Sequence, residues 1–95
     1  MADEKRSPHA HGRSEIWLRR SLVTKIKREN ARLGRRLREL RQAVGLTQEA
    51  AAETSGVHAK HIQRVELGSA NPTLATLVAL ADAYGVSLSE LFAET

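Results

Sequence analysis

Apolar side chains recur at intervals of three and four residues along most of this chain, which is the spacing of amphipathic helices. No stretch alternates apolar and polar residues as a half-buried strand would. The pattern therefore predicts an all-α protein. Its parts are a disordered arm over residues 1–13, a basic amphipathic helix over residues 14–30, and a domain of five helices over residues 31–95.

The boundary between the first two helices has two interpretations. A heptad register that runs from Ile16 through Val23 to Asn30 and beyond favours one long helix, although Arg19 interrupts its apolar seam. Against it, Gly34 costs about 1 kcal/mol in a helix interior, and Asn30 suits the N-cap of a new helix. We favour a break near residues 29–31.

Cap residues mark the other helices. Thr47 and Thr73 are expected to cap the second and fourth helices, and Ser87 with Glu90 forms a capping box for the fifth. Glycines close the helices at Gly45, Gly56, Gly68 and Gly85. Ala52 and Gly56 are small, as expected where two helices cross closely.

The predicted core takes one face from each domain helix. Its members are Leu33, Leu37, Leu40, Val44, Val57, Ile62, Val65, Leu74, Leu77, Val78, Leu80 and Ala81, with Tyr84 and Phe92 at core-like positions. The last helix carries Leu88, Leu91 and Phe92, more apolar surface than one turn buries alone, so we expect a core lid or a dimer contact there.

Charge divides the chain. Residues 1–44 carry a net +8 and residues 45–95 a net −4, which together make the formal +4 of the chain. A basic half of this kind indicates either a polyanionic partner or a solvated basic helix.

Composition excludes several classes of function. The chain has no cysteine, so disulfides, cysteine zinc sites and thiol catalysis are excluded. It has no run of about 18 apolar residues and no signal-like N-terminus, which predicts a soluble cytoplasmic protein without a membrane role. His9 and His11 lack a third ligand, and His58 and His61 lack a catalytic partner, so we expect no metal, no cofactor and no enzyme activity.

The residues from Leu33 to Phe92 resemble the phage-repressor type of helix-turn-helix, often called the XRE or Cro/repressor family. The resemblance rests on LGRRLRELRQAVGLTQ, Ala52, Gly56-Val57, Ile62, Val65-Glu66, Gly68, Asn71-Pro72 and TLATLVALADAYGVSLSELF. It implies a sequence-specific regulator of transcription that binds double-stranded DNA. The expected form is a homodimeric repressor whose third domain helix enters the major groove of an inverted-repeat operator. The alternatives are an antitoxin-type regulator with a protein partner and a restriction-modification controller.

The resemblance also implies residue roles. The base-reading positions are His58, Ala59, Lys60 and Arg64, and the phosphate-contacting positions are Gln48, His61, Gln63 and Arg41. Arg41 and Glu66 match a structural salt bridge of the family. Two positions depart from the family pattern: His58 stands where a Ser or Thr cap is common, and Ala51 where Leu is usual, so the core there should be thinner.

Dimer or partner contacts are expected at Trp17, Leu22 and Ile26 in the extension and at Leu88, Leu91 and Phe92 at the other end. For Trp17, packing on the domain, where it could fill the space beside Ala51, or on a dimer partner is favoured. Anchoring in a membrane interface and contact with another protein are the rival interpretations.

Overall fold

Five α-helices make up residues 12–93, the part of the chain that the computed structural model describes. They are α1 Gly12–Ala43, α2 Gln48–Ser55, α3 Ala59–Glu66, α4 Leu74–Tyr84 and α5 Leu88–Leu91. Residues 12–93 contain no strand, so the all-α prediction is confirmed. Residues 1–11 of the expected arm, with His9 and His11, lie outside the described residues.

The first helix is continuous over 32 residues, so the break predicted near residues 29–31 was wrong. Asn30 caps nothing there. Its Nδ2 donates a 2.6 Å hydrogen bond to Oδ1 of Asn71, in the loop between α3 and α4. Gly34 is buried where α1 crosses α3, and an added Cβ would lie 2.6 Å from the backbone oxygen of Glu66. Close packing therefore explains this glycine better than a helix end does.

The predicted caps are present. Thr47 Oγ1 accepts a 3.0 Å hydrogen bond from the backbone N–H of Ala50, and Thr73 Oγ1 caps α4 in the same way. At α5, the Ser87 N–H donates to Glu90 Oε1 at 2.7 Å, and the Glu90 N–H donates to Ser87 Oγ at 3.3 Å. The backbone groups at these helix ends are thus satisfied locally.

Gly56 has a different role from the one expected. No atom lies within 4 Å of the position that its Cβ would occupy, so no close helix crossing requires it. A glycine is required here by the φ of +79°, because Gly56 ends α2 in the left-handed conformation that other residues adopt only with strain.

The core lies between α1, which packs on α3, α4 and α5, and α2, which packs on α3 and α4. Its most completely buried large side chains are Leu37, Ile62, Val65, Leu80 and Leu91. Tyr84 also belongs to this core. Ala51 is fully buried, whereas Trp17 is 67% exposed and therefore does not fill the space beside it.

Four residues expected in the core are about half exposed or more: Val44, Leu74, Val78 and Phe92. Val44 and Phe92 lie just beyond the helices whose faces are buried. Leu74 and Val78 lie on the flank of α4, because Leu77, Leu80 and Ala81 occupy the side that faces the core. Leu91 is buried in this core and is not exposed for a dimer contact, which corrects that expectation. Leu88 is partly buried against it.

No helix in residues 12–93 is both long enough and apolar enough to cross a membrane.

Candidate nucleic-acid interface

The third helix has one buried side and one outward side. Ile62, Val65 and Glu66 are buried, while Lys60 and Arg64 are exposed. Gln63 is also exposed, and because residues three and four apart are neighbours on a helix, Lys60, Gln63 and Arg64 share one outward face. The sequence interpretation put Gln63 at the periphery; the helix puts it on the central strip.

His58 begins this helix. Its Nδ1 accepts a 3.2 Å hydrogen bond from the backbone N–H of Lys60, so the imidazole serves as the N-cap where the family often has a hydroxyl. An accepting Nδ1 places the ring proton on Nε2 in the neutral imidazole. His58 is exposed, so Nε2–H is available to an outside acceptor, whereas Ala59 and His61 are half-buried beside it.

A buried ion pair supports α3 from behind. Arg41 Nε donates to Glu66 Oε2 at 2.6 Å, and Arg41 Nη2 donates to Oε1 at 3.0 Å. The hydrogen bond to Glu66 is the largest cause that holds the pKa of Arg41 above its usual value. The carboxylate of Glu66 is therefore neutralised inside the protein and does not face an incoming phosphate.

The same pair fixes the start of α2. Arg41 Nη1 donates to the backbone oxygen of Leu46 at 2.7 Å, and Gln48 Nε2 donates to Glu66 Oε1 at 3.0 Å. Arg41 thus uses donors on all three of its nitrogens inside the protein. Its side chain is a brace that joins α1, α2 and α3, and little of it remains for a phosphate contact.

A shallow pocket of about 190 Å³ opens at this junction. It is lined by Arg38, Arg41, Gln48, Gln63, Glu66 and Leu67. Arg38 is exposed there, and sequence reasoning did not single it out. Its place three residues before Arg41 on the same helix was the available signal, because that spacing puts both side chains on one side of α1.

Residues 37–91 match the helix-turn-helix family HTH_3, and this segment contains α2, α3 and the brace. The chain belongs to this family. The resemblance to the XRE and Cro repressors is thereby confirmed. The N-terminal half of α1 lies before the matched segment.

Curated proteins with similar sequences are described as HTH-type transcriptional regulators. The chain is 46% identical over 61 residues to the HTH-type transcriptional regulator PuuR of Escherichia coli, which covers 64% of this chain but 33% of that protein. It is 41% identical over 63 residues to the uncharacterized HTH-type transcriptional regulator y4dJ of Sinorhizobium fredii, covering 66% of this chain and 82% of that one. The chain therefore spans only about a third of PuuR.

Two solved structures share the fold. One is the restriction-modification controller protein C.AhdI from Aeromonas hydrophila, with a TM-score of 0.65 and 41% identity over 66% of this chain and 96% of that chain. The other is an HTH_3 family transcriptional regulator from Vibrio cholerae, with a TM-score of 0.68 and 30% identity over 70% of this chain and 38% of that one. The HTH_3 protein described here thus shares its helix-turn-helix domain with HTH-type transcriptional regulators, a family that is not enzymatic.

Proposed function

We propose that this protein is a DNA-binding regulator of transcription, a homodimeric repressor that binds an inverted-repeat operator in double-stranded DNA through α3. The observation that carries the proposal is the outward face of α3. It presents Lys60, Gln63 and Arg64, while the only acidic residue of the helix, Glu66, is buried against Arg41. A face with these side chains and no exposed carboxylate is better suited to the negative potential of a DNA groove than to ordinary exposure to solvent.

The base-reading roles follow from the donors on this face. Lys60 and Arg64 can donate to O6 and N7 of guanine, the commonest specific contact in the major groove. Ala59 can meet the methyl group of thymine, and His58 can donate from Nε2. His58, Ala59 and Lys60 lie at the start of α3, the part of a recognition helix that reaches base edges, and Arg64 lies one turn after Lys60 on the same face.

Phosphate contacts would set the position of α3 in the groove. Gln48 begins α2, where the helix dipole and free backbone N–H groups favour an anion. Arg38 and Gln63 line the same pocket as Gln48, and His61 flanks α3. Such contacts position a protein on DNA and carry no sequence information.

Homodimerisation follows from the need to read enough base pairs. One α3 of eight residues covers a single half-site. Two copies related by a two-fold axis would read half-sites about one helical turn, roughly 34 Å, apart. Repression would follow from occupying a promoter.

The proposal is tested by selecting bound sequences from a random DNA pool and then comparing two arginine variants on the selected operator and on scrambled DNA. Arg64→Ala should weaken operator binding by about 1–3 kcal/mol and relax preference at one base pair. Arg38→Ala should weaken binding to both DNAs equally and reduce the salt slope by about 1. Equal loss on both DNAs for Arg64→Ala would reject its base-reading role.

A second candidate, control of a restriction-modification operon, is favoured by one observation. The match to the Aeromonas controller covers 96% of that chain. The biochemistry would be the same and only the target would differ. A selected operator upstream of restriction-modification genes would support this candidate, and an operator elsewhere would reject it.

A further inference from the structure

One side of α1 carries only positive charge from residue 20 to residue 38. Since an α-helix turns by about 100° per residue, five exposed cations of α1 fall within an arc of about 100° around its axis. These five residues form the basic stripe: Arg20, Lys27, Arg28, Arg35 and Arg38. With a rise of about 1.5 Å per residue, the stripe is roughly 27 Å long.

The carboxylates of α1 lie outside this arc. Glu15 and Glu29 are on the far side of the helix, and Glu39 is at the edge of the arc, just beyond the last residue of the stripe. Glu29 pairs with Arg32 at 2.6 Å, also outside the arc, and no described carboxylate pairs with the stripe. A solvated helix usually places opposite charges three or four residues apart, because like charges at that spacing repel. The segregated cations therefore favour a polyanionic partner.

The third helix ends on the same side of α1. Ala31 lies in the middle of the arc, and an added Cβ on Gly68 would lie 2.9 Å from its Cα. Gly34 lies at the edge of the arc and packs against the last residues of α3. The C-terminal end of α3 therefore crosses α1 between Lys27 and Arg38. The basic stripe and α3 are thus on one side of the molecule.

Two pockets join the basic stripe to the candidate nucleic-acid interface. Arg38 lines the pocket of about 190 Å³ that also contains Gln48 and Gln63. Lys27 lines a second pocket, of about 340 Å³, against residues 68–71 of the loop that follows α3. The hydrogen bond from Asn30 to Asn71 holds α1 to the same loop. These contacts fix the position of the stripe relative to α3.

From this geometry we propose that the basic stripe lies along the sugar-phosphate backbone of DNA beside the half-site that α3 reads. The inference rests on the proposed function and adds a second contact surface to it. Four of the five residues precede residue 37, where the match to the HTH_3 family begins. The stripe is as long as about eight base-pair steps of 3.4 Å. Its phosphate contacts add affinity and position the protein without reading sequence.

The surroundings of the stripe favour DNA over an acidic protein as the partner. Arg38, at one end, shares its pocket with Gln63, which lies on the outward face of α3 between Lys60 and Arg64. A duplex that meets this face is therefore already beside the stripe. An acidic protein on the stripe would have to leave room for that duplex.

The first experiment measures how salt affects the binding of full-length variants to the selected operator and to scrambled DNA. The test variant carries Arg20→Gln and Lys27→Gln. Because each phosphate contact contributes about 0.9 to the slope of log K against log salt, this variant should lower the slope by about 2. It should weaken binding to both DNAs by the same factor.

A matched control separates position from net charge. Arg19→Gln with Lys25→Gln also removes one arginine and one lysine from the same part of α1, and both residues are exposed outside the arc. This control should keep the wild-type slope. An equal fall in slope for both variants would overturn the stripe and leave only an effect of net charge.

The outcomes also separate the stripe from the proposed function. An unchanged slope for the test variant, with operator preference intact, would overturn the stripe as a DNA contact and leave it to an acidic protein, while the regulator proposal stands. A wild-type chain that does not distinguish the operator from scrambled DNA would reject the proposed function itself.

The second experiment maps the contact by hydroxyl-radical footprinting on the operator at saturating protein. The wild type should protect backbone positions next to the half-site in addition to those around α3. The test variant should lose only the added positions, and the Arg19 and Lys25 control should keep them. Identical footprints for the wild type and the test variant would contradict the proposed path of the stripe.

Discussion

Arg41 of α1 and Glu66 of α3 form a bidentate ion pair whose side chains are 9% and 4% exposed, with 2.6 Å between Nε and Oε2. The pair is separated by 25 residues in sequence and joins the first helix to the end of α3. A buried pair of this kind contributes little net stability, because both charges lose their hydration. The role of the pair here is to position the start of α2, since it also binds Leu46 and Gln48.

Replacing one side chain of this ion pair should reduce stability by more than expected from the loss when both are replaced together. Arg41→Met leaves Glu66 as an uncompensated buried charge and should lower the free energy of unfolding by about 3–5 kcal/mol. Arg41→Met with Glu66→Leu should lose clearly less than the sum of the two single variants. Urea unfolding of all four proteins measures this coupling. Strictly additive losses would show that the two side chains do not interact.

Gly34 should tolerate no larger residue, although it lies inside a helix. Gly34→Ala improves helix propensity by about 1 kcal/mol, but its Cβ would lie 2.6 Å from a backbone oxygen of α3. We expect a net loss of about 1–3 kcal/mol in urea unfolding. Thr24→Ala, at an exposed position of the same helix, should be neutral or slightly stabilising. A stabilised Gly34→Ala variant would show that α1 and α3 are not in close contact.

Local signals in the sequence were sufficient for most helix ends and for the recognition unit. Thr47, Thr73 and Ser87 cap their helices because a cap depends on residues within one turn. The break near residues 29–31 failed because Asn30 and Gly34 have two uses, and only distant segments decide between them. Asn71 and Glu66, more than 30 residues away, provide the contacts that explain both residues.

The candidate site also has features that the sequence predicts and features that depend on how the helices cross. The pattern of α3 predicted that Lys60 and Arg64 face outward, since helix geometry alone determines it, whereas Ala59 and His61 are half-buried. It did not predict that Arg38 would line a pocket with Gln48 and Gln63, because that requires the crossing of α1 with α2 and α3. The exposure of Phe92 was missed because one turn of helix gives too little periodicity to define a face.

Replacing Tyr84 by phenylalanine should leave the protein at least as stable as the wild type. Its side chain is buried, and its hydroxyl has no hydrogen-bond partner among the described residues. An unsatisfied buried hydroxyl costs about 1–3 kcal/mol, so Tyr84→Phe should be neutral or raise the free energy of unfolding by about 1 kcal/mol. A loss above 1 kcal/mol in urea unfolding would indicate a hydrogen bond to the hydroxyl.

The same residue makes stability depend on pH in the alkaline range. Burial raises the pKa of Tyr84 from 10.0 to about 12 in the folded protein. Between these values the unfolded chain loses the phenolic proton and the folded chain keeps it, so stability falls as pH rises from about 10 to about 12. The difference in stability between wild type and Tyr84→Phe should therefore widen over this range. An unchanged difference would contradict the burial of the phenol.

His58 combines a cap with a candidate base contact, and two substitutions separate these roles. His58→Ala removes the acceptor for the Lys60 N–H and should lower the free energy of unfolding by about 1 kcal/mol. His58→Ser restores a cap and should match the wild type in stability. If Nε2 reads a base, both variants should lose operator affinity and relax preference at the same base pair. If His58 is only a cap, His58→Ser should bind the operator as tightly as the wild type, in gel-shift titrations at fixed salt. Because α3 begins at this residue, the comparison measures how far the start of the recognition helix serves folding and how far it serves DNA reading.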